Sequence, residues 1–155
     1  MLEQLPFLTF SSIGRPSITF DGEGCPLDDS LLLTGVGYSI QILTSQDEMR
    51  VHRVVDLRTD PLLDGDYTES ERQTLRADPI ISFPVPSKVR KVIEHKASNR
   101  SGKAWVFGAE LQIAGGGDLF LTFGTEASIV GREDFFRFAE SVALSFDSVS
   151  SSIPE

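Results

Sequence analysis

Cysteine occurs once in this 155-residue chain, at Cys25. One thiol cannot close an intramolecular disulfide, and a chain long enough to bury roughly two thirds of its unfolded surface does not need one. The expected compartment is therefore reducing and cytoplasmic. No stretch approaches the ~20 apolar residues of a membrane helix. Met1 to Leu8 has neither the basic leader nor the long apolar run of a secretory signal, so no membrane partner is expected. Positive charge is also scarce. Fourteen Lys and Arg stand against 23 Asp and Glu, a formal charge of −9. Phosphate binding is driven largely by Lys and Arg displacing counterions, so this balance argues against a nucleic-acid partner.

The residues that carry chemistry are equally thin. His52 and His95 are the only histidines, and a metal site built on them would want a third ligand that the sequence does not supply. Cys25 lies between Gly24 and Pro26 in an acidic loop, which disfavours the thiolate a nucleophile needs. Gly35-Val36-Gly37 and Gly115-Gly116-Gly117 lack the strand-to-helix context of a phosphate loop, and no Gly-x-Ser-x-Gly elbow occurs. Asp64-Gly65-Asp66-Tyr67-Thr68-Glu69 has the alternating oxygens that open a calcium loop. Glu69 then stands where that loop needs glycine, and Leu75 where it needs a bidentate acid. No catalytic, cofactor-binding or metal residue is assigned, and an enzyme is not indicated.

What the chain does have is a ribbon. Trp105, Phe107, Ala109, Leu111 and Ile113 fall on every second position, and Leu119, Leu121 and Phe123 repeat the pattern beyond Gly115-Gly116-Gly117. Successive strand side chains point to opposite faces, so the spacing predicts a β-hairpin with one apolar face. Phe135, Phe138, Ala139, Val142 and Phe146 form a stripe at helical period. A C-terminal helix is therefore expected to cover the face carrying Trp105, Phe107, Leu121 and Phe123. Three buried phenylalanines would contribute about 1.5 to 3 kcal/mol each.

Elsewhere, a strand over 17–20 precedes a loop at 21–26. Val36 to Ile42 and residues 50–57 form a second hairpin. Thr68-Glu69-Ser70-Glu71 is a capping box opening a short helix over 69–77. Ile80 to Phe83 is confined by Pro84 and Pro86 to an edge or crossing segment, and residues 88–97 start a three-stranded meander that ends at 124. The fold class is α+β: a twisted, mainly antiparallel sheet of five to seven strands with one amphipathic helix on a face. Residues 1–147 form a single domain, and residues 148–155, with three consecutive serines, a flexible tail.

Charge is segregated along the chain. Pro16 to Met49 contains acids and no Lys or Arg, and acids dominate from Asp56 to Glu71. Lys88, Arg90, Lys91, Lys96, Arg100 and Lys103 form a basic strip against Glu94. Cations on an exposed strand protect a sheet edge, or they dock an acidic partner or a second copy of the chain. An acidic field steers a basic partner. The expected function is a non-enzymatic protein-binding module, of the kind found among toxin-neutralising immunity proteins and secretion chaperones, an analogy of composition only. Its interface is expected at Asp21, Glu23, Asp28, Asp29, Asp60, Asp64, Asp66, Glu69 and Glu71. Two other readings remain. One is a small-molecule binder or enzyme with an apolar pocket between sheet and helix, using His52, His95 or Tyr38. The other is a structural subunit that assembles through the basic strip or a free sheet edge.

Overall fold

One strand joins the two halves of the molecule. The computed structural model describes residues 2–45, 48–59, 67–146 and 148–153. Its strands are β1 (Thr9–Phe20), β2 (Glu23–Pro26), β3 (Ser30–Gly35), β4 (Ser39–Ser45), β5 (Glu48–Val54), β6 (Arg76–Ser98), β7 (Ala104–Ile113), β8 (Asp118–Phe123), β9 (Ala127–Val130) and β10 (Ser148–Ser152). The helices are α1 (Glu69–Arg72) and α2 (Arg132–Ser145), with short 3-10 turns at Leu5–Phe7 and Leu57–Thr59. Across the sheet the order is β5-β4-β3-β1-β6-β7-β8-β9, with β2 beside β1 and β10 beside β6. Every pairing is antiparallel. The described residues thus form ten strands rather than five to seven.

The 23 residues of β6 serve two sheets in turn. Residues 76–88 pair with β1, and residues 89–98 pair with β7 on the other edge. The register slips between Ser82 and Ser87, where Pro84 and Pro86 sit, so the prolines fall where no ladder bond is required. Expected as separate segments, 80–83 and 88–97 are therefore one strand. Phe10, Ile13, Leu31, Leu33, Ile40 and Ile42 from the first sheet share one buried cluster with Val92, Ala109, Leu111, Leu121 and Phe123 from the second. The sheets face each other as a sandwich. Glu94, 2% exposed, lies on this side of β6 and accepts a hydrogen bond from the Leu2 N–H at 2.9 Å, with Lys96 Nζ 3.6 Å away.

Helix α2 roofs the outer face of the second sheet. Its Phe135 ring lies 4.9 Å from His95 and 5.3 Å from Phe120, Phe138 lies 6.0 Å from Phe107, and Phe146 lies 4.9 Å from Trp105. Glu133 and Asp134 occupy its first turn, where they complement the helix dipole. Only half of the expected face lies under it. Leu121 and Phe123 point the other way, into the core between the sheets.

The reason is one extra residue in β7. Val106 opposes Lys96 and Gly108 opposes His95, which leaves Phe107 unmatched. Such a bulge turns the alternation over. Trp105 and Phe107 face the helix, whereas Ala109, Leu111 and Ile113 face the other sheet.

Three further expectations change. Helix α1 stops at Arg72 because β6 begins at Arg76, although the Thr68–Glu71 capping box forms in both directions. Residues 21–26 are a hairpin rather than a loop: Asp21 and Gly22 have φ of 49° and 82°, the left-handed pair that a tight turn requires, and Phe20 pairs with Glu23. In place of a frayed tail, Ser148–Ser152 pairs with Glu94–Ser98 of β6, an edge left open where β1 ends.

Gly108 lies directly under Phe135. A Cβ there would stand 2.6 Å from Phe135 Cε2 and 2.9 Å from the Leu121 carbonyl oxygen. Gly108→Val is therefore expected to cost about 1–3 kcal/mol by overpacking. Phe135→Ala, which empties the same position, should cost about 3–5 kcal/mol. Urea unfolding should show both losses as lowered midpoints, and a Gly108→Val protein as stable as the parent would refute the bulge assignment.

Candidate functional site

The acids of the first third of the chain come to one end of the sandwich because two short elements are fastened there. The turn Asp21-Gly22 caps the far end of β1. The loop after β2 is fixed by its backbone: the Asp28 carbonyl accepts from Arg15 Nη1 at 2.8 Å and from the Ala127 N–H at 2.9 Å, and the Asp29 carbonyl accepts from the Thr44 N–H at 2.8 Å. Both residues are exposed, and neither carboxylate has a hydrogen bond among the described residues.

Helix α1 is tied to the same end. The Thr19 N–H donates to Thr74 Oγ1 at 2.9 Å, and that hydroxyl donates onward to the Glu71 carbonyl at 2.6 Å. Beneath this contact, buried Ile18 and Leu75 pack with half-buried Cys25, Leu27 and Tyr67. Asp21, Glu23, Asp28, Asp29, Glu69 and Glu71 are thus brought together from three segments. Asp60, Asp64 and Asp66 lie outside the described residues.

An aromatic pair sits among these carboxylates. Phe20 is 37% exposed, and its ring centroid lies 6.0 Å from that of Tyr67. Burial pushes the Tyr67 phenol above its ordinary range; Asp29 and Glu71 add to the rise, while Arg72 opposes it. Two of these carboxylates, Asp29 and Glu71, thus lie close enough to Tyr67 to act on its hydroxyl. The field is milder than the sequence count implies. Arg76 binds Asp78 at 3.1 Å, and its guanidinium lies over Gly24, where a Cβ would come within 2.7 Å of Nη2. Glu71 Oε1 is held by the Thr68 N–H at 2.9 Å.

The other candidates are scattered. His52 lies on β5 beside Gln41, and His95 lies on β6 beneath α2, so the two histidines do not meet. Among the described residues no group of three His, Cys, Asp or Glu could hold a metal. Cys25 is a free, half-buried thiol whose Sγ lies 3.8 Å from the Glu23 carbonyl. Phe107, Phe138 and Val142 fill the sheet–helix interface. A cleft of about 220 Å³ lies instead on the outer face of the first sheet, between Leu32, Thr34 and Ser39 and the segments at 54–58 and 75–77. The basic strip is an edge only in part: residues 88–93 have a strand partner on one side, and from Glu94 β10 closes the other. Lys88 pairs with Thr9, and β6 meets β7 from Val89 onward.

No protein-family model, no curated protein and no solved structure matches this chain.

His95 carries the clearest titration. Its Nδ1 lies 3.0 Å from Ser151 Oγ, and its Nε2 is buried, unbonded and 3.8 Å from the Glu110 carboxylate. Burial lowers the imidazole from its ordinary 6.5, and Glu110 raises it only partly back. A depressed folded value means that the unfolded chain takes the proton more readily. The neutral ring therefore contributes stability above pH 6.5, and that contribution is lost as pH falls through the folded value. Urea unfolding across this range should show stability dropping toward acid, with a shallower drop in His95→Gln. An identical slope in the variant would remove His95 as the cause.

Proposed function

We propose that the chain is a non-enzymatic protein-binding module whose acidic end docks a basic protein partner, in the manner of an immunity-type inhibitor or a chaperone. The observation that carries this reading is the Phe20–Tyr67 pair framed by Asp21, Glu23, Asp28, Asp29, Glu69 and Glu71. Protein interfaces combine a few aromatic anchors with a polar rim, and this end offers both on one surface. The loops are held by their backbones before any partner arrives, so little ordering entropy is lost on docking. Carboxylates at such a rim act mainly on encounter. They raise the association rate with a basic surface and lower it with an acidic one.

The tagged chain should capture one stoichiometric basic protein from its native host. The variant Asp21→Lys/Glu23→Lys/Asp29→Lys should then associate with that protein at least about tenfold more slowly. Stopped-flow rates at low and high ionic strength decide the matter. A rate that barely changes with salt, or with charge reversal, would end the steering role of this surface.

A further inference from the structure

The opposite end of the sandwich differs in character. Phe7, Val36 and Val55 are 80%, 75% and 86% exposed, three of the four most exposed large apolar side chains among the described residues. Each stands on a different turn. Phe7 ends the 3-10 turn before β1, Val36 lies in the β3–β4 turn, and Val55 follows the last residue of β5. The register places these turns side by side. Leu8 packs against Gly35, Phe10 pairs with Gly35, and Ser39 pairs with Val54. None of the three side chains belongs to the core, so the fold itself does not require them to be apolar.

Among the described residues the charges around them are mostly positive. Arg53 lies over the Tyr38 ring at 4.5 Å, Lys88 pairs with Thr9 at the start of β1, and Arg90 and Lys91 follow, all on this end. Among the described residues the acids here are Glu3, Asp118 and Asp56, and Asp56 is paired with Arg58. Asp21 and Glu23 stand at the other terminus of the 12-residue β1, at most about 36 Å from Thr9 at ~3.3 Å per residue and several times the ~8 Å over which charge is felt at physiological salt, while Asp28 and Asp29 lie nearer, beside Pro16.

From this arrangement we infer that the Phe7–Val36–Val55 end is a docking surface for an anionic lipid membrane, the three side chains entering the headgroup layer and Arg53, Lys88 and Arg90 facing the lipid charge. Stable attachment to a bilayer surface takes an apolar signal together with a basic one, and this end supplies both. A protein partner fits less well. Its interface buries a continuous area around anchors seated in pockets, whereas these three side chains project singly from three different turns. No described helix is long and apolar enough to cross a membrane, and the contact inferred here is with the surface alone.

Flotation of the full chain with vesicles of phosphatidylcholine, with and without phosphatidylserine, tests this. The chain should float with the phosphatidylserine vesicles, and added salt should weaken that. Phe7→Ser/Val36→Ser/Val55→Ser should lower the bound fraction at least about tenfold with an unchanged circular dichroism spectrum. Lys88→Glu/Arg90→Glu should abolish the preference for phosphatidylserine. Leu144→Ser, at the 91% exposed position on α2, should change nothing. A parent chain that stays with neither vesicle, or a triple variant that floats like the parent, overturns the inference. So does a parent dimer that the triple variant converts to monomer, which would give these tips to a second copy of the chain.

Discussion

The second sheet is organised by the extra residue at Phe107. Without it, strict alternation would send Trp105, Phe107, Ala109, Leu111 and Ile113 to one layer, and one side of β7 would hold all the apolar bulk. With it, Trp105 and Phe107 meet α2 while Ala109, Leu111 and Ile113 meet the first sheet. A single strand therefore supplies two cores. Gly108 completes the arrangement, since the bulge places it on the helix side, where only a residue without Cβ leaves room for the Phe135 ring. The helix closes over the sheet because the bulge and the glycine occur together.

Strand β6 solves the complementary problem of linking the layers. An uninterrupted 23-residue strand would be too flat to serve both sheets. Register slips at Pro79/Ile81, Ser82/Ser87 and Val89/Lys91 divide it, with Pro79 at the first and Pro84 and Pro86 in the second. Its edges are filled in succession by β1 and then β10, with the residues before β1 in between. Glu94 reaches from this strand to the Leu2 backbone, so a buried carboxylate is met by a hydrogen bond and by Lys96 instead of standing alone. Part of the basic strip is in this way committed to the fold.

How much of this is legible in the sequence depends on how many faces of each element are covered. The β4–β5 hairpin reads clearly, since Ile40 and Ile42 alternate with polar neighbours. Helix α2 reads equally clearly from its stripe. Strand β3 does not. Leu31 and Leu33 face the core, and Leu32 lies on the other side under Leu57 and Leu75, so Leu31-Leu32-Leu33 shows no alternation. The start of β1 is obscured by its bulge at Phe10/Ser12 and by the mixed run Ser11 to Pro16. Strand β10 is serine-rich and contributes nothing to the core, held by backbone pairing that leaves little hydrophobic trace. The acids of the candidate site are visible as residues, but their meeting is not. It depends on Thr19 reaching Thr74 and on Ile18 packing with Leu75, contacts between segments far apart in the chain.

Net charge alone would describe this molecule poorly. A value of −9 spread evenly would repel every anionic surface and attract every basic one without preference for site. The long axis of β1 instead separates Asp21 and Glu23 at one terminus from Lys88 and Arg53 at the other. Screening makes the two ends nearly independent at physiological salt. Each end presents its own few charges and its own exposed apolar groups, Phe20 with Tyr67 on one side and Phe7 with Val36 on the other. The distance between them is set by the length of β1, and the layers it joins are packed through the two cores that the bulge in β7 permits.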